Sequence, residues 1–278
     1  MNDDCKIIRT LSSSVVRQGS YVIKSIPATS NALKEISILR SIEHDQIIKL
    51  IDFHLDTEIK LIMPLVFKVP LSLPIDIFYT QCLKILTVLE NINIVHLDFR
   101  EENLGYDGNK IILLDFGNAV ILRKNTLISY TNYPPEYIRA PEINSLYISR
   151  IDSRVDLWSL GAIVYNRIHN YYPTLYNMNE LENNKLHNDL KSILTINRPY
   201  ASELALKWNI NIKEGRVNLP NRMAKSINGS YLLKYHIERA LSIEPNLDTV
   251  LKLYTDDNVL TTEDLNLFKK LDCQLFSE

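Results

Sequence analysis

The chain has 278 residues, 46% of them hydrophobic and 23% charged, with a formal net charge of -2. That length buries a sizeable core and suits one two-lobed unit or two small domains better than a repeat array. The near-neutral balance argues against disorder and offers no basic stripe for nucleic acid or a membrane surface. Cys5, Cys82 and Cys273 are odd in number and lie outside any CxxC or Cys/His ligand spacing, so neither a disulfide framework nor a zinc site is expected. The opening MNDDCKIIRT lacks the basic region and apolar run of a signal peptide, and no stretch offers ~18 uninterrupted apolar residues for a membrane span. The cytosol or nucleus is the expected compartment.

Residues 6–11, 14–18 and 21–26 are short apolar or β-branched runs separated by Ser12-Ser13 and Gly19-Ser20, which predicts three antiparallel strands. From Asn31 to Ile42 the apolar residues Ala32, Leu33, Ile36, Ile38 and Leu39 surround Lys34 and Glu35, the pattern of an amphipathic helix. Two more strands are expected at 47–53 and 58–66. Pro64, Pro70 and Pro74 then mark an extended crossing before a helix over 75–91. Downstream the chain reads as helical, apart from strands in IVHL and IILLDF and a loop from Gly117 to about Ala140. The fold class expected is α+β, with a five-stranded lobe carrying one helix ahead of a mainly helical lobe. The expected boundaries are 1–66, 67–254 and a helical extension over 255–278.

Phosphoryl transfer needs a cation on the nucleotide phosphates, acidic or amide ligands for magnesium, and a carboxylate beside the attacking hydroxyl. The segment VHLDFREEN, with His96, Asp98 and Asn103, resembles the catalytic loop of protein kinases, and LLDFGNA supplies a DFG motif at Asp115, Phe116 and Gly117. YVIK ends in Lys24, and the following helix offers Glu35. RAPE, with Ala140, Pro141 and Glu142, and VDLWSLG, with Asp156, continue the series. Singly, Lys24 or Glu35 is an ordinary solvated charge. In this order and spacing the chain resembles the eukaryotic protein kinases over most of its length.

That resemblance implies a two-lobed kinase fold with ATP and Mg2+ as cofactors. Asp98 becomes the base, Lys24 the anchor of the α- and β-phosphates, and Glu35 the carboxylate that orients Lys24. Asn103 and Asp115 become the magnesium ligands, and Arg100 the positive charge beside the transferring phosphoryl group. Met63 matches the gatekeeper, and Pro64, Leu65 and Val66 the hinge that holds adenine, with Val66 offering its N–H. Phe116, His96, Leu39 and Leu50 match the hydrophobic spine; for the apolar members this is also plain core packing. Asp156 matches the residue that braces the catalytic loop.

SNALKEISILRSIEHDQIIKLID is similar to the PSTAIRE region of cyclin-dependent kinases, and Arg139 before Ala140 is a further habit of the CMGC group. The departures are equally informative. Ser12, Ser13 and Ser14 stand in a shortened loop where GxGxxG is usual, which implies a looser grip on ATP through backbone N–H groups. Leu97 precedes Asp98 where Arg is usual, removing a partner for a phosphorylated activation loop. Arg100 and Pro135 replace residues typical of Ser/Thr kinases, which leaves the acceptor hydroxyl open. Glu142 needs an Arg late in the chain: the CMGC-like register puts Asp248 there, and Arg198 comes earlier.

The shortened, glycine-poor loop at Ser12–Ser14, Pro64 just after the gatekeeper position and the PSTAIRE-like helix together resemble the monomeric CDK-activating kinases of fungi. The expected function is therefore transfer of the ATP γ-phosphate to a Ser/Thr hydroxyl of a protein substrate, with a CDK activation loop as candidate. The alternative is a pseudokinase scaffold with weak nucleotide binding. A cyclin-like partner on the helix around Glu35 is not expected, nor are nucleic acid or membrane partners.

Overall fold

Side chains alternate between exposed and buried along Glu58–Pro64, the two-residue period of a strand with one face on a core. In the computed structural model this strand lies inside a five-stranded antiparallel sheet. The structure describes residues 8–9, 14–122, 134–144, 151–173, 181–182, 184–195, 197–210, 246–254 and 259–276. The sheet comprises β1 (Ile8–Arg9), β2 (Ser14–Gln18), β3 (Tyr21–Pro27), β4 (Asp52–Leu55) and β5 (Glu58–Pro64), in the order β1-β2-β3-β5-β4. Gln18 pairs with Tyr21, so only two residues turn between β2 and β3. Gly19 takes φ 61° at the first of them, a conformation that primed hairpin turns reserve largely for glycine.

Helix α1 (Ser30–Ser41) follows β3, and the Thr29 hydroxyl accepts from the Ala32 N–H at its start. The expected apolar residues Ala32, Leu33, Ile36, Ile38 and Leu39 are all buried, and Ser30, Ser37 and Ser41 are buried with them, so the covered face is wider than the apolar spacing alone indicated. Burial is tolerated because the Ser37 and Ser41 hydroxyls donate to the carbonyls of Leu33 and Ser37. The strand expected at 47–53 is also corrected, since pairing with β5 begins at Asp52. Ile47, Ile48 and Leu50 are all buried. Gln46 and Ile48 bond Leu113 instead, with Leu113 N–H donating to Gln46 O at 2.9 Å and Ile48 N–H to Leu113 O at 3.0 Å. The apolar run thus serves lobe-to-lobe packing, which has no two-residue period.

Beyond the linker, α2 (Ile75–Asn91) packs on α3 (Arg154–His169) and α5 (Ala201–Lys207), and α3 packs on α4 (Lys185–Ile193). Two small sheets lie against this helical lobe. β6 (Phe67–Lys68), β8 (Leu104–Tyr106) and β9 (Ile111–Leu113) form one; β7 (Ile94–Val95) and β10 (Val120–Ile121) form the other. Of these, β6, β8 and β10 were not expected, because runs of two or three residues carry no readable periodicity and exist only through their cross-strand partners. The bilobal α+β class holds.

Two last helices, α6 (Leu247–Tyr254) and α7 (Thr262–Phe276), follow. The boundary expected at 254 falls between them, yet both pack on the first lobe: α6 on α1, and Phe268 of α7 on Phe53 of β4. Elsewhere, Arg198, which the expected register placed too early, meets Glu142. Its guanidinium also donates to the carbonyls of Arg154 and Thr195, both at 2.9 Å, and sits over Trp158. Replacing Arg198 by Ala removes its bonds to the two carbonyls and its ion pair with Glu142. The expected loss is about 2 kcal/mol, read as a lower urea midpoint at unchanged slope.

Candidate active site

Lys24 sits in mid-strand on β3, opposite Val15 of β2 and Leu61 of β5, so the sheet fixes where its side chain begins. Its ammonium lies 2.9 and 3.1 Å from the two Glu35 carboxylate oxygens and 2.8 Å from Asp115 Oδ1. One cation therefore ties together β3, α1 and the segment after β9. Burial by itself disfavours the charged lysine, but Glu35 and Asp115 outweigh it and hold Lys24 above the ordinary lysine range. Burial pushes Glu35 up, against the pull of Lys24. For Asp115 burial acts the same way, but Lys24 and the Gly117 N–H prevail, and its carboxyl falls below the usual range. Asp115 holds φ 57°, a left-handed conformation uncommon for a residue with a side chain.

The catalytic-loop segment is fastened from below. Asp156, buried in the first turn of α3, accepts the His96 N–H at 2.6 Å and the Leu97 N–H at 3.0 Å. Burial raises Asp156 to about 7 despite these two donors. Leu97 is held at φ 59°, and its side chain packs with Val95, Ala140, Ile143, Ile151 and Val155. An apolar plug thus occupies the position where an arginine is usual. His96 is buried; its Nε2 lies 2.9 Å from Leu114 O, and burial lowers its pKa to about 4. The imidazole is therefore neutral, with the proton on Nε2. Its ring meets Phe116 edge-on at 5.1 Å, joining two of the four spine residues; Leu39 and Leu50 are buried in the same core as Phe116.

Asp98 follows directly. The Asn103 amide donates to Asp98 O at 2.9 Å and to Asp98 Oδ2 at 2.8 Å, and Arg100 Nε stands 3.4 Å from Asp98 Oδ1. Burial raises Asp98 to about 6, opposed by Arg100 and Asn103. Pairing of Leu104 with Leu113, and the bond from Leu114 N–H to Asn103 O, bring Asn103 and Asp115 to the same end of the β8–β9 hairpin. With its amide nitrogen turned to Asp98, Asn103 keeps Oδ1 for a cation. An amide and a carboxylate oxygen are hard donors of the kind magnesium takes.

Met63 is buried opposite Val22, and Pro64 ends β5 opposite Tyr21. Pro64 therefore sacrifices only an N–H at the end of a ladder. Leu65 donates to Ser20 O at 2.9 Å. Val66 lies against Gly105 of β8 so closely that a Cβ at Gly105 would overlap its side chain. Ser14 begins β2, paired with Ser25; Ser12 and Ser13 lie outside the described residues. Sequence reasoning missed the direct Lys24–Asp115 contact. It also missed the Gly105 seat of Val66, for which a glycine inside a short strand was the available signal.

The protein kinase domain family matches residues 18–239, and the chain belongs to that family. It is 33% identical over 156 residues to the serine/threonine-protein kinase ULK3 of Xenopus laevis, covering 51% of this chain and 33% of the relative. It is 34% identical over 158 residues to the probable serine/threonine-protein kinase pXi of Dictyostelium discoideum, covering 51% and 22%. The cell cycle serine/threonine-protein kinase CDC5/MSD2 of Saccharomyces cerevisiae is 29% identical over 157 residues, again covering 51% and 22%. The chain thus spans a third or less of the length of these relatives.

Two substitutions test the geometry. Asp156→Asn puts an NH2 against one of two backbone N–H donors, which is expected to cost about 1–3 kcal/mol in chemical denaturation. In Gly117→Ala the new Cβ stands 3.2 Å from Asp115 Oδ1 and 3.6 Å from Glu35 Oε2. Glu35 is in ordinary contact there, but displacing Asp115 by a few tenths of an ångström is expected to lower kcat about tenfold with the melting temperature little changed.

Proposed function

We propose that this chain transfers the γ-phosphoryl group of ATP to a Ser/Thr hydroxyl of a protein substrate. The observation that carries the reading is the cation of Lys24 held between Glu35 and Asp115, with Asp98 and Asn103 hydrogen-bonded beside it. In this reading Lys24 binds the nucleotide phosphates and Glu35 fixes the ammonium in place. Asn103 and Asp115 hold magnesium, which when bound neutralises charge on the phosphates. Asp98 takes the hydrogen bond of the acceptor hydroxyl and orients it for in-line attack. Arg100, 3.4 Å from Asp98, brings positive charge to the same place. Met63, Pro64 and Val66 form the adenine wall, and Ser12, Ser13 and Ser14 the loop over the phosphates.

The serine/threonine kinases among the relatives support the hydroxyl class. The PSTAIRE-like α1 and the apolar Leu97 support a CMGC enzyme of the CDK-activating type. With an apolar residue in that position, no phosphate on the activation loop is needed to neutralise a buried arginine.

Incubating the purified chain with Mg-ATP and an unphosphorylated CDK, alongside a generic protein acceptor, tests both levels. Labelling of the CDK activation-loop Thr is expected, with a loss on the order of 10²-fold or more in Asp98→Asn. Labelling of the generic acceptor alone rejects the CDK-activating assignment. Binding of ATP with transfer to neither favours the scaffold reading, for which the glycine-free loop at Ser12–Ser14 is the motivation.

A further inference from the structure

Helix α1 carries Glu35, so whatever holds α1 also sets whether Glu35 reaches Lys24. At 3.6 residues per turn, Arg40 lies about 140° around the helix from Glu35. Leu33, Ser37 and Ser41 share that far side and are buried, while Arg40 lies at its solvent edge. A helix on the outer edge of a small lobe ordinarily leaves this side to solvent or to a partner. Here the chain's own C-terminal residues cover it.

The covering segment is attached at both ends of α1 and on the sheet. At the start, Leu260 N–H donates to Ala28 O at 2.9 Å, and Val259 bridges Thr29, the capping residue of α1. In the last turn, Arg40 pairs with Asp272 at 3.4 Å. On β4, Phe268 meets Phe53 edge-on at 6.5 Å. Between these points α6 lies along α1. Val250, Leu253, Leu260, Leu265, Phe268 and Leu271 are all buried in the same core as Leu33 and Ile36. The segment is also tied to itself: Lys252 pairs with Asp264 at 2.5 Å, while Asp264 accepts from the Thr261 N–H and Thr261 Oγ1 from the Asp264 N–H. This reciprocal capping starts α7 where the first lobe needs it.

We propose that residues 246–254 and 259–276 are a built-in brace that holds α1 in the position where Glu35 grips Lys24, doing within one chain what a helix-positioning subunit does from outside. Arg40, Phe268 and Asp272 are positioning residues in this device. They touch no reacting group: Arg40 and Asp272 act through α1, and Phe268 by seating the brace on β4. The face is taken, so a second protein can engage it only by displacing the brace. This inference rests on the phosphotransfer reading for its effect on rate, but its structural half is tested without activity.

The test uses the full chain. Hydrogen exchange across 30–41, kcat and KM for ATP are measured in wild type, Arg40→Asp, Asp272→Arg, the double charge swap and Phe268→Ala. Each single variant is expected to exchange faster across 30–41 and to lose kcat, by about fivefold for the charge reversals and tenfold or more for Phe268→Ala, with a smaller change in KM. The double swap is expected to recover most of both losses, a rescue that general destabilisation does not give. Unchanged exchange in all variants overturns the brace. Faster exchange with unchanged kcat overturns its role in positioning Glu35. An inactive wild type rejects the phosphotransfer reading instead, and exchange at 30–41 with rescue by the double swap still decides the brace.

Discussion

The arrangement of the two lobes turns on one buried cation. Lys24 comes from the sheet, Glu35 from the helix that follows β3, and Asp115 from the far side of the cleft, both carboxylates lying within 3.1 Å of the ammonium. Burying an ammonium is costly unless it is paired. Two carboxylates meet that cost here, and neither is comfortable without the lysine. The contact therefore couples α1 to the DFG segment: if α1 moves, Lys24 loses one partner and Asp115 inherits the other's share of the charge.

Support for this contact comes from two directions. From below, Asp156 fixes the backbone of His96 and Leu97, which sets where Asp98 begins, and the β8–β9 pairing carries Asn103 and Asp115 to a common edge. From the outside, α6 and α7 lie on the first lobe and close the face of α1 that its sequence leaves ambiguous. The serines of α1 show how narrow the compromise is. They are small and polar enough to read as solvent-facing, yet each of Ser37 and Ser41 satisfies its hydroxyl on its own helix and so admits burial.

The departures from the kinase pattern have physical counterparts where the structure describes them. Leu97 is part of an apolar cluster and not a gap left by a missing arginine. Glu142 has found Arg198, a residue the expected register placed too early, in an ion pair whose guanidinium is buried and whose carboxylate is half-exposed. Pro64 sits at the end of a ladder where its missing N–H is harmless.

The sequence alone singled out Lys24, Glu35, Asp98, Asn103 and Asp115, because a phosphoryl-transfer site would need those residue types in that order. The strands β2, β3 and β5 and helices α1 and α2 were legible because their apolar spacing is set by each segment's own geometry. The tertiary structure decided what depends on a distant partner: that 47–50 packs between the lobes and does not pair as a strand, that β6, β8 and β10 exist, that Arg198 answers Glu142, and that the last two helices belong to the first lobe. Local periodicity records which face of an element is buried, but nothing in it says by what. The partner of α1 lies more than 200 positions away in the chain, in residues whose own pattern shows only an apolar stripe seeking cover.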